Sequence, residues 1–358
     1  LLRPWKELNK PNKKIQKTNM ENRSPYVVNA PSISIIMLKV LVALIPGIAL
    51  YVYVFGLGVI INILLASITV ILTESAILAI RKLPIKPFIL DGSGLVTAWL
   101  LALSIPSIAP WWIIVLGTIL CIIFGKHLYG GLGYNLFNPA MVGYAILLIS
   151  FPSIMTHWQI PSNIMIGQTD WLDQIKVIFN SNLLSKETLD AMSSATPLDY
   201  IKTQLTLNQP LATIQQDKIF GFVGGRGLEL INLGYLAGGL YMLKEKIISW
   251  HLPVAFLTTL FFSALLFNIF APDTFASPLF HIMSGGSILC AFFIITDPVS
   301  APTTPKGKIY FGMGIALLVL IIRLFGGYPE GIAFAVLFLN ICVPLIDSLT
   351  QPRIFGHK

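Results

Sequence analysis

The sequence predicts an all-α polytopic membrane protein: about ten transmembrane helices in two inverted five-helix repeats, several of them short or broken. Three observations predict it. The mean hydropathy is +0.78, with 55% hydrophobic and 11% charged residues, outside the range of soluble domains. The apolar residues come in blocks long enough to cross a bilayer, which takes roughly 20 residues and fewer where a helix is broken or re-entrant. Text from the first half of the chain also recurs in the second.

Taken in order, the first five segments run approximately 35–55, 59–80, 92–105, 111–124 and 139–151. The second five run approximately 230–243, 252–270, 279–296, 309–324 and 331–345. The chain therefore divides into a basic leader (1–25), a first five-helix repeat (26–151), a polar segment (152–229), a second five-helix repeat (230–350) and a short tail (351–358). The first twenty residues lack the apolar core of a secretory signal peptide.

Orientation follows from the basic residues. Arg3, Lys6, Lys10, Lys13, Lys14, Lys17 and Arg23 precede the first segment, and Arg81, Lys82 and Lys86 follow the second. Lys126, Lys244, Lys246, Lys306, Lys308, Arg353 and Lys358 follow the fourth, sixth, eighth and tenth. With ten spans all of these fall on one side, which the charge rule makes cytoplasmic, with both termini inside and the polar segment outside. The net charge of +8 thus reflects topology rather than nucleic-acid binding.

The repeat is legible as text. "SGLVTAWLLALSIPSIAP" (Ser93–Pro110) resembles "GGSILCAFFIITDPVSAP" (Gly285–Pro302), and "LYGG" (Leu128–Gly131) resembles "LFGG" (Leu324–Gly327). Five spans per repeat is an odd number, so the halves have opposite topology. Such repeats, with Gly/Pro-interrupted segments in matching places, form sites near the bilayer midplane.

Charges inside apolar blocks are the first candidates for function. Glu74, in "ILTESAIL", is the deepest and reads either as an ion-pathway acid or as a partner for a neighbouring span or subunit. Asp91 opens one repeated segment and Asp297 ends the other; each reads either as a helix-end cap or as an ion or proton site. Lys39 and Arg323 lie near segment ends, where long side chains snorkel to water. Cys121, Cys290 and Cys342 all lie in apolar blocks without a C-x-x-C pair, so they read as packing residues rather than metal ligands or disulfides. "NPA" (Asn138–Ala140) is a good helix start, Asn as cap and Pro at the first position, though the triplet also occurs in water channels.

The polar segment contains "DAMSSATPLDYIKT" (Asp190–Thr203). Thr196 before Pro197, with Asp199 in the first turn, marks a helix N-terminus. Unpaired N–H groups at such a point favour a phosphate, and a threonine hydroxyl there can itself be esterified.

At these residues the chain resembles the flavinylation site of the membrane-embedded D subunit of the Rnf electron-transport complex and of the related B subunit of the sodium-translocating NADH:quinone oxidoreductase. "SPYV" (Ser24–Val27), "KHLYGGLGYNLFNPAMVGY" (Lys126–Tyr144), "FFIITDPVSA" (Phe292–Ala301) and "RLFGGYPEGIAFAVL" (Arg323–Leu337) extend the likeness to nearly the whole chain after the leader, with Met20 as the implied native start. The resemblance implies FMN joined through its phosphate to Thr196 by a dedicated flavin transferase, with Asp190, Ser193 and Ala195 completing the motif. Ser194 stands where many such sites have glycine. It further implies a bacterial inner-membrane component coupling electron transfer to Na+ or H+ translocation, iron–sulfur and flavin subunits as partners, and a second, noncovalent riboflavin. The rival reading is a solute channel or transporter, supported by the repeat and the Asn-Pro-Ala triplet.

Overall fold

Four helices start in the same way: a polar N-cap followed by proline at the first helical position, where its missing N–H costs nothing. Asn138 accepts from Met141 N at 3.2 Å, Thr196 from Asp199 N at 3.2 Å, Ser277 from Phe280 N at 3.3 Å and Thr304 from Gly307 N at 2.9 Å. The computed structural model describes residues 32–161, 171–180, 192–328 and 330–352. The basic leader, Asp190, Arg353 and Lys358 lie outside the described residues.

The protein is a polytopic helical membrane protein. Five of its described helices are long and apolar enough to cross a membrane: Ile33–Phe55, Gly58–Ile80, His251–Phe270, Pro305–Phe325 and Ile332–Thr350. Shorter apolar helices cover Ser93–Ser104, Trp111–His127 and Pro139–Ser150, and Leu228–Lys244 adds a helix of 17 residues. Each apolar segment expected from the sequence carries helix. Segment 279–296 is one of the broken helices the sequence predicts: it divides into Pro278–Met283 and a second piece, Ser287–Ile294. Gly285 turns the chain there at φ +64°, a conformation glycine adopts without steric cost.

Two stretches of helix widen to i→i+5 hydrogen bonding, Cys121–His127 and Cys290–Ile294, an arrangement frequent at functional sites. Cys121 and Cys290 are buried in them and Cys342 is half-buried, in keeping with packing roles.

Close backbone approach holds the halves together. Helix 33–55 packs along helix 228–244 through Gly47, Gly234 and Gly238. A Cβ on Gly234 would lie 2.8 Å from Gly47 Cα, and one on Gly238 would overlap the Ala43 carbonyl oxygen. Small residues at such seams let helices approach in lipid, where no hydrophobic drive exists between them. Asn138 is a second tie: besides capping its own helix it donates from its backbone N to Asn340 Oδ1 at 3.1 Å and from Nδ2 to Ile294 O at 3.1 Å.

The polar segment is anchored onto the helix ends. Trp158–Gln159 pairs antiparallel with Ser193–Ser194, and Gln174, on helix 171–180, donates to Phe55 O at 3.0 Å and accepts from Gly58 N at 3.1 Å. The Thr196 helix (Pro197–Thr206) buries Leu198 and Ile201 in a small apolar cluster with Leu211, Ile214, Ala276 and Phe280. Lys202 Nζ donates to Gly326 O and Tyr328 O, fastening this helix to the end of helix 305–325.

Candidate functional site

Thr196 stands at a cavity. Strand pairing fixes the residues before it, and the proline-started helix fixes those after it. Thr196 Oγ1 is the cap, accepting the Asp199 N–H. Burial pushes the Asp199 carboxyl up from its usual value, and nearby Lys202 pulls it back. Thr196, Pro197, Leu198 and Asp199 line a partly open cavity. Its remaining wall is largely apolar and aromatic, including Tyr51, Met141, Tyr144, Met155, Trp158 and Tyr235. Tyr235 Oη is buried there with no hydrogen-bond partner among the described residues.

At the same cavity Glu330 meets the break in the second repeated segment. Its Oε2 accepts from Gly286 N at 3.2 Å, so a carboxylate sits on the N-terminus of the resumed helix. Arg323 holds it in a two-point clamp, Nε to Oε1 at 3.0 Å and Nη2 to Oε2 at 2.8 Å. Nη1 donates to His281 O at 2.6 Å and Nη2 to Ser287 Oγ at 2.9 Å. Arg323 therefore does not snorkel, as its place near a helix end suggested: its side chain is 1% exposed, because the glutamate and the broken helix satisfy it inside the protein.

A second cavity lies at the opposite ends of the same helices. Met37 lines it and Tyr51 lines the first, 14 residues or about 21 Å apart on one helix. Here a second clamped glutamate is found. Lys126 Nζ donates to Glu74 Oε1 at 2.6 Å and to Ser93 Oγ at 2.8 Å, and His127 Nε2 lies 3.3 Å from the same glutamate oxygen. Ser93 in turn gives its N–H and hydroxyl to Asp91 Oδ1 at 2.7 and 2.6 Å. Of the sequence's two readings of Glu74, the neighbouring-span partner is met. Asp91 makes these local bonds at the start of helix 93–104, and Asp297 accepts from Ser300 Oγ at 2.7 Å and Val299 N at 3.4 Å in the turn that follows helix 287–294. Ser93, Lys126 and Asp297 line this second cavity; Glu74 and Asp91 do not line it but bond to Lys126 and Ser93, which do. Lys39 pairs with Glu245 at 2.6 Å on the exposed surface.

Residues 20–356 match the model of the NQR2, RnfD, RnfE family. The chain belongs to that family. It is 48% identical over 343 residues to proteins named as the D subunit of an ion-translocating oxidoreductase complex, from Cronobacter sakazakii (94% of this chain, 98% of the relative) and from Escherichia coli K12 (94% and 97%). The family assignment agrees with the resemblance read from the sequence.

Within this family member, sequence reasoning missed Lys126, Glu330, Asn340 and Tyr235. A signal for the clamps existed: His127 and Arg323 each immediately precede the repeated "L-aromatic-Gly-Gly" text. Tyr235 gave none, since a tyrosine in an apolar helix reads as packing.

Proposed function

We propose that this chain is the flavin-carrying membrane component of a multi-subunit complex coupling electron transfer to Na+ or H+ translocation across the bacterial inner membrane. FMN is joined through its phosphate to Thr196, with Asp190, Ser193 and Ala195 as the recognition motif of a flavin transferase. The observation that carries the reading is the position of Thr196: a capping hydroxyl at a helix N-terminus, at the edge of a largely apolar, aromatic-walled cavity. The relatives' name, the D subunit of an ion-translocating oxidoreductase complex, supports the assembly, in which iron–sulfur and other flavin subunits are the partners. A flavin held there accepts and passes on electrons. The residues of this chain supply the attachment oxygen, the helix N-terminus facing the phosphate and the dry wall around the ring.

The finer architecture belongs to the same proposal: ten spans in two inverted repeats, termini cytoplasmic, the Thr196 segment periplasmic. Supporting it, helix 93–104 runs from the second cavity, here the inner one, to the Thr196 cavity, here the outer one, while 287–294 runs from the outer to the inner. Each begins beside a glutamate clamped by a buried cation. The inner cavity is our place for a second, noncovalent riboflavin, and Glu74, Asp91 and Asp297, lining it or bonded to residues that do, are our ion-pathway acids.

The test is covalent flavin in the purified full-length protein. Wild type co-produced with the transferase should fluoresce on a denaturing gel, and Thr196→Ala should not. An FMN mass shift on a peptide lacking Thr196 overturns the attachment. Absence of any covalent flavin together with solute flux in vesicles would establish the channel reading instead.

A further inference from the structure

Most hydroxyl groups on the wall of the outer cavity are already committed. Ser104 Oγ donates to Leu100 O at 2.7 Å and Thr156 Oγ1 to Pro152 O at 2.9 Å, each within its own helix. Thr196 Oγ1 accepts the Asp199 N–H. The Tyr51 hydroxyl has the Ser107 side chain for a partner, and Tyr235 Oη is sealed off, so nothing in the cavity can touch it. Tyr144 differs from all of these. It is 8% exposed, its hydroxyl makes no hydrogen bond among the described residues, and that oxygen is not one of the sealed ones. Its helix sets its direction. Met141, Tyr144 and Leu148, three and four residues apart, share one face of helix 139–150, and all three line the cavity. On that face Tyr144 is the single polar side chain, where phenylalanine would pack as well. A hydroxyl on a largely apolar wall is costly unless something within the cavity pairs with it.

We propose that Tyr144 is a flavin-binding residue whose hydroxyl donates a hydrogen bond to an acceptor atom of the isoalloxazine ring in the outer cavity. This rests on the reading that Thr196 carries FMN. Pro139 lines the inner cavity, so helix 139–150 climbs outward, and Tyr144 lies about 9 Å below its outer end. A phosphate tethered at Thr196, on the outer segment, lets the ribityl chain lower the ring towards that depth. Trp158 pairs with Ser194, two residues before Thr196, and so stands at the attachment end instead. Asn232 Nδ2 is engaged with Met283 O and Gly285 O, and the wall's two acids, Asp199 and Glu330, are acceptors when ionised. An apolar wall with one aimed hydroxyl suits a flat ring system with a polar edge. The pyrimidine side of the ring presents carbonyl oxygens and a ring nitrogen as acceptors. Reduction increases the negative charge on those atoms, which makes the hydrogen bond charge-assisted and stronger. The donor therefore favours the reduced ring over the oxidised one.

The test uses Tyr144→Phe, which deletes one oxygen and keeps the ring, in full-length protein made with the transferase and in a Thr196→Ala background that lacks the tethered flavin. Covalent flavin on the gel should be unchanged. The reduction equilibrium of that flavin should shift about tenfold towards the oxidised form, about 59 mV for a one-electron couple, with a displaced visible absorption band. In the Thr196→Ala background the same substitution should leave the thermal midpoint unchanged or raised, because the hydroxyl has no partner in the protein to lose. Tyr310→Phe, at an exposed position, should alter neither reading. Flavin present on Thr196 with unchanged potential and spectrum overturns the inference while sparing the attachment. An equal loss of stability in both backgrounds overturns it too, by making the hydroxyl structural. Wild type without flavin on Thr196 defeats the attachment itself, and the inference with it.

Discussion

Lys126 and Glu74, 52 positions apart in the chain, form an ion pair of 2.6 Å with both side chains only 4% exposed. Two charges removed from water this completely are held by their mutual attraction and by the remaining bonds to Ser93 and His127. Such a pair is weak evidence of net stabilisation, yet breaking it leaves a bare buried charge. Lys126→Met should therefore cost about 3–5 kcal/mol, and the double variant Lys126→Met, Glu74→Leu should recover most of it. Thermal midpoints of the purified variants in detergent check this. A double variant as unstable as the single would place the loss in packing rather than charge.

The glycine seam makes a sharper steric prediction. A methyl on Gly238 has no room, because the Ala43 carbonyl on the facing helix is backbone and cannot rotate away. Gly238→Ala should destabilise by about 1–3 kcal/mol, the usual range for overpacking. Gly327, exposed and with nothing within 4 Å of its would-be Cβ, is the control, and its substitution by Ala should stay within about 0.5 kcal/mol. Equal stability of the two variants would mean that the two helices separate freely.

Orientation is tested at two turns. Asn208 lies in the exposed turn after the Thr196 helix, and Lys82 in the exposed turn after helix 58–80. A reporter active only in the periplasm should be on when inserted at Asn208 and off at Lys82. The opposite pattern reverses the topology drawn from the basic loops.

Much of this fold was legible because lipid imposes simple rules. Apolar block length gave the helices, and Asn138-Pro139 and Thr196-Pro197 gave helix starts that the structure reproduces to the residue. Side-chain pairing across the chain was not legible. Nothing local to Arg323 says that Glu330 and the broken helix will enclose it, so sequence position alone suggested a snorkelling end. That the second repeated segment is interrupted was legible from its glycines, but the turn's exact place, at Gly285, was not, since a double glycine inside an apolar run fits both a close contact and a turn. The cavities were invisible altogether, because Thr196, Tyr51 and Tyr235 meet only after helices distant in sequence have packed.

Asp297 separates two roles by chemistry. Its carboxylate accepts from Ser300 Oγ and Val299 N, bonds that an amide oxygen can also accept. Asp297→Asn should therefore preserve the fold and the covalent flavin content while slowing ion-coupled turnover of the assembled complex, because only the charge is lost. Sodium- or proton-uptake measurements in vesicles beside electron-transfer rates check it. Undiminished coupling would leave Asp297 as a structural residue of its turn alone.

Thr196 itself serves two purposes, and they can be pulled apart. As the cap it satisfies the Asp199 N–H, and its loss to alanine should cost about 1 kcal/mol of local helix stability. As the proposed attachment point it supplies the ester oxygen, so Thr196→Ala must also abolish covalent FMN, whereas Thr203→Ala, seven residues on in the same helix, should not. Attachment leaves one negative charge on the phosphodiester. That charge faces N–H groups from Leu198 onward, since Pro197 has none. The helix dipole adds roughly 0.3–1 kcal/mol at an exposed site. Full-length protein made without the transferase should hence fold in the membrane, yet exchange its amides over 196–204 faster than the flavinylated form. Thr196→Ala should exchange faster still, having lost the cap as well. Exchange that is equal in flavinylated and flavin-free wild type would remove the electrostatic contribution of the phosphate to this helix, even with the flavin correctly on Thr196.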